Sequence, residues 1–139
     1  MLFNPLDYTT VFLSYDEPNA EENYRHLLTL NPNALRVHGV KGSDTAHKEV
    51  AKLSKTDSVI VVDADNFVKP SFFNTTIELK DDYPLSDFVL SFSGHNTLNG
   101  LVYGNGGIKV WPVKLLQDMQ THENATDNST AVDFDFNKY

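Results

Sequence analysis

A chain of 139 residues, 40% of them hydrophobic and 12% aromatic, has enough apolar material for one folded domain and is short for an enzyme of two lobes. Its formal net charge of -8 argues against broad binding to nucleic acid or anionic membranes, which needs clustered Lys and Arg. The absence of cysteine excludes disulfides, thiolate metal sites and a cysteine nucleophile.

No apolar run approaches the length of a membrane span, and Met1-Leu2-Phe3-Asn4-Pro5 lacks the charged and apolar pattern of a signal peptide. The expectation is therefore a soluble, cytoplasmic chain. Asn74-Thr75-Thr76, Asn124-Ala125-Thr126 and Asn128-Ser129-Thr130 match the glycosylation sequon, but without a secretion signal they are read as chance.

Thr9 to Tyr15 is rich in β-branched and aromatic residues and predicts a first strand. Asp16-Glu17-Pro18-Asn19 is a polar turn, and Asn19 followed by Glu22 has the spacing of a capping box that opens a helix at Ala20. Tyr24, Leu27 and Leu28 share one face of that helix, with Glu21, Glu22 and Arg25 turned outward, and Asn31-Pro32-Asn33 stops it. Ala34 to Val40 alternates apolar and polar residues as a second strand. Ser43 or Asp44 is a candidate cap for a second helix with a buried stripe of Ala46, Val50, Ala51 and Leu53.

Ser58-Val59-Ile60-Val61-Val62 is an uninterrupted apolar run ending in Asp63-Ala64-Asp65-Asn66. Such a run suits a strand buried on both faces, as in a parallel sheet covered by helices. The order β-α-β-α-β predicts right-handed crossovers and a mostly parallel sheet. Ligands in such sheets bind beyond the carboxyl ends of the strands, where Asp63 and Asp65 fall. Two adjacent carboxylates repel unless a cation or a shared proton offsets the repulsion. Oxygen ligands suit Mg²⁺ or Mn²⁺, with a nucleotide diphosphate completing the shell. The bland alternative is a solvated strand-to-loop corner built from ordinary turn residues.

Pro70 to Phe73 resembles one helical turn, Thr75 to Leu79 a short strand, and Asp87 to Phe92 a further strand turned by Ser93 to Asn96. Gly104-Asn105-Gly106-Gly107 lets the backbone take up positive φ, approach a ligand closely or simply turn a hairpin. Ile108 to Pro112 follows, then a helix from Val113 to Met119 packing Leu115, Leu116 and Met119. Thr121 to Thr130 reads as a loop, and Val132, Phe134 and Phe136 alternate with polar residues as a final strand.

The order of elements, together with Val61-Val62-Asp63-Ala64-Asp65-Asn66, resembles the GT-A glycosyltransferases, the nucleotide-sugar transferases with a D-x-D motif. The likeness runs from the first strand through the glycine-rich segment. It is nearest to the small transferases encoded by bacteriophages, in which a Gly-Asn-Gly-Gly-Ile-Lys segment follows the acidic strand. The resemblance implies a minimal GT-A domain over residues 1–139, a Rossmann-like α/β/α sandwich with a mostly parallel central sheet. It implies transfer of a sugar from a nucleoside diphosphate sugar, UDP- preferred over GDP-, to a glycan or other hydroxyl acceptor in the cytoplasm of a host cell.

Residue by residue, the resemblance implies that Asp65 binds Mn²⁺ or Mg²⁺ bridging the donor diphosphate, while Asp63 holds the ribose or shares the metal. Ser14, Tyr15 and Glu17 match the nucleoside-contacting segment. Lys41 and His47 match the region that contacts base or phosphates, and Gly106 and Gly107 lie on the sugar or acceptor side. Each also has an ordinary reading: Tyr15 closing the core with its hydroxyl wet, Lys41 as a solvated turn lysine, His47 as a half-buried helix histidine. For the family's late metal-binding histidine the candidates are His122 and, in the tail, Asp133 or Asp135, and for the general base Glu123 or Asp133. The short chain leaves little room for an acceptor subdomain, which makes a homo-oligomer, a helper subunit or a non-catalytic nucleotide- or glycan-binding module the alternative. Phosphatases of the haloacid-dehalogenase type also place D-x-D after an apolar strand. Here, however, Asn66-Phe67 follows the motif, which comes after two β-α units instead of at the first strand.

Overall fold

The computed structural model describes residues 1–80, 84–95, 100–103 and 106–120. β1 (Leu2–Phe3) leads through a 3-10 turn at Pro5–Asp7 into β2 (Thr9–Ser14), α1 (Ala20–Leu30), β3 (Leu35–His38), α2 (Ser43–Leu53) and β4 (Ser58–Asp63). A second 3-10 turn at Pro70–Asn74 precedes β5 (Ile77–Glu78), β6 (Leu90–Ser91), β7 (Gly94–His95), β8 (Val102–Tyr103), β9 (Ile108–Pro112) and α3 (Val113–Gln117). The β-α-β-α-β order expected from the sequence is present, with strand ends moved by one or two residues.

The central sheet has five strands in the order β3-β2-β4-β9-β6. β2 pairs in parallel with β3, Ser14 opposite His38, and with β4, Leu13 opposite Asp63. β9 runs antiparallel to both β4 and β6, with Val62 opposite Ile108 and Ser91 opposite Lys109. The sheet is therefore mixed, with β9 the single reversed strand. β1 and β5 form a separate antiparallel pair, and so do β7 and β8, so Gly94 and His95 are paired with Tyr103 and Val102 where a turn was expected.

Period-two alternation sends the strand residues to opposite faces, and helices cover both. Phe12, Ile60, Val62 and Val110 pack with Ala20 and Leu27 of α1, and with Phe3, Val68 and Phe73. Val11, Val59, Val61 and Trp111 pack on the other side with Val50 and Ala51 of α2, and with Leu116 and Met119 at α3. This two-sided burial explains why β4 carries no polar residue between Ser58 and Asp63.

Several local expectations are corrected. Asn19 sits at the cap position of α1 with φ -102° and ψ 13°, and its side chain makes no capping bond. The turn closes through its backbone instead, with the Ala20 N–H donating to the Glu17 carbonyl at 3.1 Å. Asn19→Ala is therefore expected to change stability by less than about 0.5 kcal/mol in a urea melt, against the ~1 kcal/mol that a working cap contributes. At α2 the cap position is Gly42, whose φ of +90° turns the chain one residue before Ser43, so neither Ser43 nor Asp44 is the cap. Leu53, the last residue of α2, and Leu115 on α3 are exposed, at 38% and 36%. The expected loop at 121–130 and tail strand at 132–136 lie outside the described residues.

Candidate functional site

The acidic corner is tied down by backbone and side chain together. The Asp63 N–H donates to the Gly107 carbonyl at 2.8 Å, the Ala64 N–H to Leu13 at 3.0 Å, and the Asn66 N–H back to Asp63 at 3.1 Å. From beneath, the buried Asn23 of α1 donates its Nδ2 group to the Ala64 carbonyl at 2.9 Å. Ala64 is fully buried, Asp63 half-buried and Asp65 exposed. The alternation thus turns Ala64 into the core and both carboxylates toward one cavity.

That cavity, of about 420 Å³, opens at the carboxyl ends of β2 and β4. Ser14, Tyr15 and Glu17 line it from the end of β2, Ser43 and His47 from the start of α2, and Asp63 and Asp65 from the corner. Gly107, Lys109 and Trp111 close it from the β9 side. Most of the residues singled out in the sequence are thereby brought together, although they come from four separate stretches of chain. Lys41 is exposed in the turn before α2 and is not part of the lining. His122, Glu123, Asp133 and Asp135 lie outside the described residues.

Each polar side chain is held in a distinct way. The Ser14 hydroxyl accepts from Arg36 Nε at 2.9 Å and shares a hydrogen bond of 2.7 Å with His38 Nδ1. Arg36 in turn grips Glu21 with two bonds of 3.1 and 2.7 Å and lies over the rings of Phe12 and Tyr24. Ser14 is buried within this network, which leaves it a wall of the cavity more than a free ligand group. Glu17 Oε1 accepts from the Tyr15 N–H at 2.6 Å and fixes the turn after β2. Tyr15 is half exposed, presenting an aromatic face at the rim. His47 Nδ1 is 2.8 Å from the Ser43 carbonyl, so it carries the proton, and the ring meets Trp111 edge-on at 5.8 Å.

Burial pushes the Asp63 carboxyl above its ordinary value. The Lys109 ammonium opposes that shift, the charge of Asp65 adds to it, His47 opposes it and Glu17 adds to it. Among the described residues no hydrogen bond reaches the Asp63 carboxylate. The corner therefore concentrates negative charge that is only partly balanced by the protein. Asp63 and Asp65 supply two carboxylates to the cavity lining, hard oxygen ligands of the kind Mg²⁺ and Mn²⁺ take. Among the described residues there is no group of three or more His, Asp or Glu placed to hold a metal ion.

The glycines act through space. Gly107 does line the cavity, but its bare Cα is covered by the Asn66 side chain. Gly106 is buried behind it, where a Cβ would come within 2.6 Å of the Phe92 carbonyl and 2.8 Å of the Gly94 nitrogen. Neither has a positive φ. Sequence reading missed Asn23, Lys109 and Trp111. Asn23 was visible as a lone amide among the inward positions of the first helix. Lys109 and Trp111 were visible as a two-residue spacing within a strand, which puts them on one face.

No protein-family model, curated protein or solved structure matches the chain. Among the described residues no helix is long and apolar enough to cross a membrane.

Proposed function

We propose that the chain is a metal-dependent glycosyltransferase of minimal GT-A type, similar to the small bacteriophage transferases, that uses a nucleoside diphosphate sugar. The observation that carries this reading is the single cavity in which the end of the first strand, His47 and both carboxylates of the D-x-D motif meet. Helices on both faces of the sheet, and an acidic corner closing the third strand of the β-α-β-α-β unit, support the fold part of it.

In this reading Tyr15 offers its ring to the base, Glu17 holds the strand-end turn in place, and His47, anchored through Nδ1, turns its Nε2 edge to the nucleotide. Asp65 and Asp63 hold Mn²⁺ or Mg²⁺. Lys109 moderates the negative field through which an anionic donor must enter. The cation, when bound, supplies Lewis-acid stabilisation of the charge that grows on the departing diphosphate. The acceptor is a hydroxyl of a glycan or another molecule.

Calorimetric titration with UDP and with GDP, each in Mn²⁺ and again in EDTA, tests the reading. Binding of UDP that disappears in EDTA is expected. Binding of neither nucleotide under either condition would remove the proposal. Metal-dependent binding with neither donor hydrolysis nor transfer would instead mark a non-catalytic nucleotide-binding module.

A further inference from the structure

Asn66 stands between the acidic corner and the glycine-rich segment. Its Nδ2 group donates to Asp65 Oδ1 at 2.7 Å and to the Asp63 carbonyl at 3.2 Å. The same amide rests on the Cα of Gly107, where an added Cβ would overlap Asn66 Nδ2 and Cγ and approach Oδ1 to 2.6 Å. Gly107 also accepts the Asp63 N–H through its carbonyl, at 2.8 Å. Position 107 thus holds the corner twice, once through the backbone and once by leaving room for a side chain. Its φ lies outside the left-handed region, so the requirement for glycine here is one of volume.

We propose that Asn66 is the positioning residue of the acidic corner: seated on Gly107, its amide fixes the Asp65 carboxylate toward the cavity, so that residues 66 and 107 together set divalent-cation affinity without contacting the cation. This rests on the metal-binding part of the function proposed above. An exposed aspartate at a loop start has free χ rotations, and ligating a cation requires that freedom to be lost. A hydrogen bond formed beforehand lowers that cost, which is how outer-shell groups act on metal ligands. A carboxylate accepting one N–H keeps lone pairs on both oxygens for a cation. The Asp65 exposed at the corner is therefore already oriented, and the glycine segment is coupled to it through one amide.

The test uses the full chain with Mn²⁺ and UDP as probes, in wild type, Asn66→Ala, Gly107→Ala and the double variant. Each single change is expected to weaken Mn²⁺-dependent UDP binding by about 10- to 100-fold, the range found for outer-shell partners of metal ligands. The double variant should be no weaker than the weaker single variant, because both remove the same seat. Side-chain amide NMR gives a readout free of metal. The Asn66 NH₂ pair should be shifted and slow to exchange in wild type, and should move to the position of a solvated amide in Gly107→Ala. Undiminished binding by a folded Asn66→Ala, losses that multiply in the double variant, or an Asn66 amide unmoved by Gly107→Ala would each overturn the proposal. A wild-type chain that binds no Mn²⁺ with UDP would overturn the metal reading itself, and the role of Asn66 with it.

Discussion

Asp65→Ala should abolish Mn²⁺-dependent nucleotide binding while leaving the chain folded and its melting temperature close to that of wild type. Asp65 is exposed, and its side chain contributes no burial to the core. Its hydrogen bond from Asn66 lies at the surface. Exposed substitutions of this kind change stability by roughly 0.5 kcal/mol or less. The corner keeps its backbone bonds from Asp63 to Gly107 and from Ala64 to Leu13, and α1 still grips Ala64 through Asn23. Removing one of two carboxylates leaves a cation a single protein ligand beside the Lys109 ammonium, too little to hold it together with a diphosphate. Calorimetry of the variant with UDP and Mn²⁺, alongside its thermal melt, separates the two effects. A folded variant that keeps Mn²⁺-dependent affinity would remove the core of the proposed function.

The parts of this molecule that were legible in the sequence are those set by local pattern. β4 announces itself because burial on both faces demands an unbroken apolar run, and the corner announces itself because that run ends in two carboxylates. α1 and α2 were legible from their apolar stripes. Their caps were not, because a side chain with capping chemistry competes with the backbone geometry of the preceding turn. At Gly42 the positive φ decided the outcome, and at Asn19 the turn closed without the side chain.

The reversed direction of β9 was not legible, since strand pairing belongs to the tertiary structure and Ile108 to Pro112 would read the same either way. That reversal is what brings the end of the strand at Gly107 and Lys109 beside the carboxyl end of β4. Lys41 and His47 show the same limit within a few residues of each other. Both are polar residues near the start of α2, yet His47, one helical turn after Ser43, faces the cavity while Lys41 faces solvent. The glycine segment was read for close approach to a ligand. At Gly107 the close approach is by the protein's own Asn66.

Asp63→Asn is expected to make the chain more stable at pH 7 and, at the same time, unable to bind nucleotide through a metal. The Asp63 carboxyl is held above its ordinary value chiefly by burial, with the neighbouring charges of Asp65 and Glu17 adding to the shift. A folded state that raises a carboxyl pKa binds its proton more tightly than the unfolded chain does. Below the ordinary carboxylate value both states are protonated, and the group contributes nothing to the difference. As pH rises between the ordinary and the raised value, the unfolded chain ionises first and stability falls; above the raised value the loss is complete and constant. The charged Asp63 therefore destabilises the fold at neutral pH, and a neutral amide of nearly the same shape removes that cost. Lys109 acts in the opposite sense, but its attraction is outweighed by burial. Melting curves of the two proteins should be farthest apart at pH 7 and converge as pH falls below the ordinary carboxylate range. Mn²⁺ with UDP should raise the melting temperature of wild type alone, since only a folded state that binds is stabilised by mass action. A variant that melts below wild type at pH 7 would show that Lys109 dominates the corner, and that Asp63 is held by an ion pair and does not stand as a carboxylate in need of a cation.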